Sequence, residues 1–170
     1  MKLRAALVVL LLAVGCIVRA SDALPTTLPK VALEPATGAA RVTLSEVAAG
    51  RPMLVDFFAT WCAPCRESMP RLQAYADQHA PGLVVVGVDV GEDLADVAPF
   101  VRELGVRYPI FLDRDFSLAD ATGAARVPAL LLVAADGRIL HRAHELDAQT
   151  RAAVDRALAP AAPAAPAAAP

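Results

Sequence analysis

The chain has 170 residues and a formal net charge of -2, which is room for one ordinary domain. Alanine supplies 38 of its residues, yet 58 more are Val, Ile, Leu, Met, Phe, Trp, Tyr or Cys, enough to build a core and against a disordered chain. No basic block supports a nucleic-acid partner, and no segment recurs at the fixed period a repeat protein needs.

Residues 1–20 read as a targeting segment. Lys2 and Arg4 precede an uncharged run from Ala5 to Val18. A spanning helix takes about 20 apolar residues, so this run suits the apolar part of an export signal. Two exits compete. Val18-Arg19-Ala20 offers a cleavage site that would release Ser21, whereas Leu12-Ala13-Val14-Gly15-Cys16 has the form of a lipobox, with Cys16 as the lipid-bearing residue. An uncleaved short anchor ranks third. All three export the body of the protein, to the periplasm or to the periplasmic side of a membrane. Residues 21–30, with Pro25 and Pro29, read as a linker, 31–158 as the domain, and 159–170 as an Ala/Pro-rich disordered tail.

Met53 to Phe58 (MLVDFF) predicts a buried strand after the Gly50-Arg51-Pro52 punctuation. A helical pattern follows from Pro64 to about Ala80, with Pro70 expected to kink it and Pro81-Gly82 to stop it. Leu83 to Val90 (LVVVGVDV) predicts a second buried strand. Leu94, Val97, Ala98, Val101 and Leu104 then recur at helical spacing behind Asp93, a candidate N-cap. A short strand at Ile110 to Leu112, a short helix at Ser117 to Thr122 closed by Gly123, and a hairpin around Ala135-Asp136-Gly137 come next. A helix from Asp147 to Leu158 closes the domain. This order predicts an α/β fold whose sheet is parallel in part and antiparallel at its end.

Cys62 and Cys65, in Trp61-Cys62-Ala63-Pro64-Cys65, sit where the first strand ends and a helix begins. A helix N-terminus presents unpaired N–H groups and the positive end of the helix dipole, so a thiol there ionises below the free value of about 8.5. Cys65 lies one turn on, within reach of a mixed disulfide at Cys62. Pro64 fits the first turn, where a missing N–H does little harm. A structural disulfide closing so short a loop would constrain the unfolded chain little. Zinc would need four ligands, and no second cysteine pair exists. Copper binding by the two thiolates stays open; His79, His141 and His144 read as a late helical residue and two surface residues. Asp56, inside an otherwise apolar strand, is expected to be desolvated and its carboxyl raised, which suits it to take a proton from Cys65.

VDFFATWCAPC, with Asp56, Trp61, Cys62, Pro64 and Cys65, resembles the active-site segment of the thioredoxin fold. Pro70 matches the proline that kinks the active-site helix of thioredoxins. Val127-Pro128 matches the family's cis-proline, which lies against the reactive sulfur and shapes a substrate groove with Trp61 and Pro64. GVDVGED, a helix and RYPIFLD look like the extra β-α unit of the exported TlpA/ResA branch. Exported members often carry Asn where this chain has Asp56, and Ala129 replaces one of the threonines often found after the proline. The resemblance covers roughly Val31 to Leu158. It implies a thioredoxin-like fold with a mixed central sheet and a β-α insertion, and a thiol–disulfide oxidoreductase whose redox group is the Cys62–Cys65 pair itself, with no further cofactor and no metal. In ResA-like proteins a glutamate in the VGE stretch lies near the cysteines, which points to Glu92. Its position after the second parallel strand, at the sheet edge where Cys62 follows the first, agrees; a solvated loop carboxylate beside Asp93 is the competing reading. An Ala-Pro dipeptide between the cysteines favours a reductant. The resemblance further implies an inner-membrane thiol conduit as electron donor and oxidised proteins, apocytochrome c among them, as clients. A copper chaperone is the non-enzyme alternative. A thiol peroxidase, which shares the fold, normally has Thr or Ser three residues before its cysteine, where this chain has Ala59.

Overall fold

A computed structural model describes residues 24–159; the targeting segment with Cys16 and residues 160–170 of the expected tail lie outside the described residues. The elements in chain order are β1 (Ala32–Pro35), β2 (Val42–Thr43), α1 (Leu44–Ala48), β3 (Met53–Phe58), α2 (Ala63–His79), β4 (Val84–Val90), α3 (Leu94–Glu103), β5 (Ile110–Asp113), α4 (Ser117–Thr122), β6 (Ala129–Val133), β7 (Ile139–Ala143) and α5 (Ala148–Leu158). One sheet carries the strands in the order β2-β1-β5-β4-β3-β6-β7. β3, β4 and β5 run parallel, and β1, β6 and β7 add antiparallel pairs on the two flanks. This is the partly parallel α/β sheet that the sequence pattern predicts.

Every residue of β3 and β4 is buried. That explains why both segments read as continuous apolar runs, since parallel strands at the centre of a sheet are covered on both faces. Neighbouring partners such as Asp56 and Gly87, or Phe58 and Asp89, share a face. Over this face lie α2, α3 and α5: Ser68 and Leu72 adjoin Asp56, Phe100 stacks on Phe58 at 6.0 Å, and Thr150 meets His141 of β7. Burying each such Phe or Leu contributes roughly 1.5–3 kcal/mol. α2 meets the sheet through Cys65, Met69, Leu72 and Tyr75, a three-to-four-residue spacing that makes one apolar stripe.

Several local features go beyond the predicted elements. β1, β2 and α1 are too short to show a hydrophobic period, yet Thr43 and Glu46 form a reciprocal capping box at the start of α1. Asp93 occupies the N-cap position of α3, but its carboxylate caps nothing and pairs instead with Arg114 at 3.0 Å. Residues 24–30, read from sequence as linker, lie along β7. Ile139 N–H donates to the Thr26 carbonyl, Leu28 N–H donates to the Gly137 carbonyl, and the Leu28 side chain is buried. Among the described residues no helix is long and apolar enough to cross a membrane.

Candidate active site

β3 ends at Phe58, and the chain turns through Ala59, Thr60 and Trp61 into α2. Cys62 is the N-cap of α2, with Pro64 in the first turn. Its Sγ accepts the Cys65 N–H at 3.2 Å, so the sulfur takes the place a serine or aspartate oxygen fills in an ordinary cap. Cys62 and Cys65 are joined as a disulfide with their Cα atoms 5.3 Å apart. Cys65 is fully buried and Cys62 nearly so, while the adjoining Trp61 is 71% exposed. The buried disulfide is thus flanked in the chain by an aromatic side chain that faces solvent, with Ala63 and Pro64 also exposed. The Val127–Pro128 bond is cis, and both residues are half-buried at the start of β6.

Asp56 is 2% exposed and lies directly across from Leu130 of β6 and Gly87 of β4. The Tyr108 hydroxyl donates to its Oδ2 at 3.1 Å. Burial pushes the Asp56 carboxyl from its ordinary 3.8 up to about 7; the Tyr108 hydrogen bond pulls the other way, because it favours the charged form. Tyr108 is itself raised, by burial first and then by the neighbouring Asp56 charge, so it stays a donor.

Two residues place that tyrosine. Gln73, buried on α2, accepts the Arg107 and Tyr108 backbone N–H groups at 2.6 and 3.0 Å, which ties the start of β5 to the cysteine-bearing helix. Gly87 leaves the room the ring needs. A Cβ on Gly87 would lie 3.1 Å from the Tyr108 ring and 2.6 Å from Ile110. A lone glycine inside a β-branched run is the one signal in the sequence that could have flagged this close approach.

Glu92 stands after β4 and grips the loop before Cys62. Its Oε2 accepts the Thr60 N–H at 2.6 Å, and its Oε1 accepts the Thr60 hydroxyl. Gly91, at φ +86°, makes the turn that delivers it; a side chain there would strike Phe116. Behind it, Asp89 is fully buried on β4, accepts the Glu92 N–H at 3.1 Å, and has no partner for Oδ2 among the described residues. Burial, and next the Glu92 carboxylate, push Asp89 up to about 8. Thr60, Gln73 and Tyr108 carried no signal of a role in the sequence, whereas Asp89, an acid inside the apolar run of β4, carried the same signal as Asp56. Their importance lies in which neighbours they meet.

A cavity of about 20 Å³ opens beside Asp56, lined by Ser68 and Leu72 of α2, Pro128 and Leu130 of β6, and His144, Glu145 and Leu146 after β7. Ser68 is one turn beyond Cys65 and donates its hydroxyl to the Cys65 carbonyl at 3.2 Å. Structure thus brings Asp56, Pro128 and the helix of the cysteines around one small space, while Glu92 approaches from the neighbouring strand end through Thr60.

The sequence matches the Redoxin family over residues 20–158. The thiol-disulfide oxidoreductase ResA of Bacillus subtilis (strain 168) is 31% identical over 113 residues, covering 66% of this chain and 62% of that protein. ResA of Geobacillus thermodenitrificans is 30% identical over 91 residues, covering 53% of this chain and 52% of that protein. The chain therefore spans between about half and three fifths of the length of these relatives. Among solved structures, a thiol:disulfide interchange protein of the thioredoxin family from Chlorobium tepidum superposes with a TM-score of 0.63 at 24% identity, over 82% of this chain and 100% of that one. StoA from Bacillus subtilis superposes with a TM-score of 0.62 at 20% identity, over 75% of this chain and 96% of that one. The fold is thioredoxin-like.

Proposed function

The chain belongs to the Redoxin family, and from that premise we propose that it is a thiol–disulfide oxidoreductase that reduces protein disulfides with the Cys62–Cys65 pair. The observation that carries the reading is the Cys62 cap. In the dithiol state the Cys65 N–H and the N-terminal end of α2 both favour negative charge on Cys62 Sγ, which makes it the nucleophile. Cys62 thiolate attacks a client disulfide; one S–S bond breaks, a mixed disulfide forms, and the first client thiolate leaves. Cys65 Sγ then attacks Cys62 Sγ, the mixed disulfide breaks, and the second client thiolate leaves. The client gains two electrons and the Cys62–Cys65 disulfide forms. Cys65 is buried, so its proton needs an internal acceptor, and Asp56 takes it: a carboxyl near 7 is ionised often enough to accept and protonated often enough to return it.

Exposed Trp61 and Pro64 with half-buried Val127 and Pro128 frame the surface on which a client's backbone lies. Glu92 fixes Thr60 and thereby the path of the loop into Cys62. The reading extends to an exported protein, on the strength of the charge and apolar pattern of residues 1–20, with Cys16 as a lipid site if the lipobox is used. An exported reductant draws electrons from a membrane thiol donor, and cytochrome c maturation is a process that consumes them.

Alkylation rate against pH, in a Cys65→Ser background, tests the nucleophile. The expected midpoint lies at least a unit below the free-thiol value of about 8.5. A midpoint at or above that value, together with no insulin-disulfide reduction by the unaltered protein, would sink the assignment. Tight Cu(I) binding without reductase activity would return the copper reading.

A further inference from the structure

Once Asp56 has taken the Cys65 proton it must pass it on, and the structure limits where. On one side its partner is Tyr108, a buried hydroxyl that already spends its hydrogen on Asp56 Oδ2. Within the sheet the paired strands β4 and β6 flank it, with Gly87 and Leu130 as the neighbouring residues. The remaining side is the cavity. At about 20 Å³ it has room for one water molecule, for which roughly 10–15 Å³ suffices. Its walls carry few polar side chains: Asp56 at the inner end, the Ser68 hydroxyl on the α2 wall, and His144 and Glu145 at the outer end, both exposed to solvent.

The two outer residues differ in how they are held. His144 Nδ1 lies 2.8 Å from the Pro128 carbonyl oxygen. A carbonyl can only accept, so Nδ1 carries the hydrogen and Nε2 is left with the lone pair that takes a proton. The ring is thereby fixed to the turn that forms the cavity wall. Among the described residues Glu145 has no hydrogen bond through its carboxylate.

We infer that His144 is the outlet for the Asp56 proton: the proton crosses one water in the cavity from the Asp56 carboxyl to His144 Nε2, and leaves from there to solvent. The inference rests on the reading of Asp56 as acceptor for Cys65. The proton balance closes, since the proton released from Cys65 ends in bulk water and the same route run backwards supplies one when the disulfide is reduced. The titratable groups that face the route are Asp56 from β3, His144 and Glu145 from the segment after β7, and Tyr108 from the start of β5; α2 contributes the Ser68 hydroxyl and Cys65, the source of the proton. His144 also holds the Pro128 turn, so a loss of function on its removal has a structural explanation that the test must separate.

His144→Asn makes that separation, because an asparagine amide N–H can keep the bond to the Pro128 carbonyl while nothing remains to titrate. Acid-quenched time courses of the reduced protein with oxidised glutathione resolve the Cys62 attack from the Cys65 step. At pH 7, His144→Asn should slow the Cys65 step about tenfold, less than the roughly 10²–10⁴ of a group that exchanges the proton with the reacting atoms directly. It should leave the Cys62 attack within twofold, and millimolar imidazole should restore the rate. In an Asp56→Asn background the same change should add nothing. A Cys65 step at the wild-type rate in His144→Asn, when Asp56→Asn is slow, overturns the outlet and leaves Asp56 as acceptor. Slowing by Glu145→Gln in place of His144→Asn also overturns it. A wild-type rate in Asp56→Asn removes the acceptor itself, and the outlet with it.

Discussion

Two aspartates lie on neighbouring central strands, on the same face of the sheet, and both are buried: Asp56 on β3 and Asp89 on β4. Burial raises both, to about 7 and about 8. Their surroundings then diverge. Asp56 receives a hydroxyl hydrogen from Tyr108 and borders a cavity that reaches the surface at His144. Asp89 receives one backbone N–H, from Glu92, and faces the Glu92 carboxylate, which opposes a second negative charge beside it. One acid has a donor that tolerates ionisation and borders a cavity that opens at the surface. The other is held protonated and serves to set the Gly91-Glu92 turn, through which Glu92 grips Thr60. Burial alone therefore raises both carboxyls alike; the donor and the opening to solvent are what set Asp56 apart.

The largest expected effect that would break this contrast is on stability. A carboxyl whose native titration is raised holds its proton after the unfolded chain has lost its own. Stability is therefore full below about pH 4 and falls as pH rises through the native values near 7 and 8. A shift of three to four units corresponds to roughly 4–5 kcal/mol as an upper bound. Asp89→Asn should raise the unfolding free energy at pH 9 by several kcal/mol, about 3–4, and at pH 4 by little, while leaving the Cys65 step within about twofold. Asp56→Asn should raise stability at pH 9 by about 3 kcal/mol and also slow that step by roughly a hundredfold. Urea melts at both pH values, beside the kinetics, check the pair. Equal slowing by both substitutions would erase the distinction drawn here.

A smaller effect sharpens the Asp56 side. Tyr108→Phe removes the one donor that favours ionised Asp56, so the Asp56 midpoint should climb by about one unit, the worth of a hydrogen bond to a charged group. Carboxyl ¹³C NMR against pH reads it directly, and an unmoved midpoint would mean that the hydroxyl contributes nothing to the tuning. The smallest effect tests the other acid. Glu92→Gln removes the opposing carboxylate, so the Asp89 midpoint should fall by less than about one unit while that of Asp56 stays in place. A shift at Asp56 of equal size would show that the two acids are coupled and not separately tuned.

Much of the frame was legible in the chain. β3 and β4 announce themselves because a strand buried on both faces has no polar side to interrupt it, and the start of α2 is marked by the cysteine pair with Pro64. The strand character of 32–35 was not legible, because four residues with a mixed burial pattern show no period. The docking of residues 24–30 on β7 was not legible either, since it is made by backbone hydrogen bonds that any sequence can form. The Thr43–Glu46 capping box was present in the letters and would have located α1. Asp93 shows the opposite failure: the right residue type stands at the right position, and a longer-range partner, Arg114, takes its carboxylate.

By itself, then, the sequence determined the cysteine pair at a strand–helix junction, the buried acid six residues before it, and the order of the central elements. These depend on groups adjacent in the chain, where spacing and hydrophobic period carry the information. Tertiary structure decided what surrounds the acid. Tyr108 reaches Asp56 across 52 positions of sequence, through the gap that Gly87 leaves and the hold of Gln73. His144 meets Pro128 across 16, at the mouth of a cavity no segment defines alone. Such contacts are set by how strands register and helices pack, and a side chain's proton affinity follows from those neighbours and not from its place in the chain.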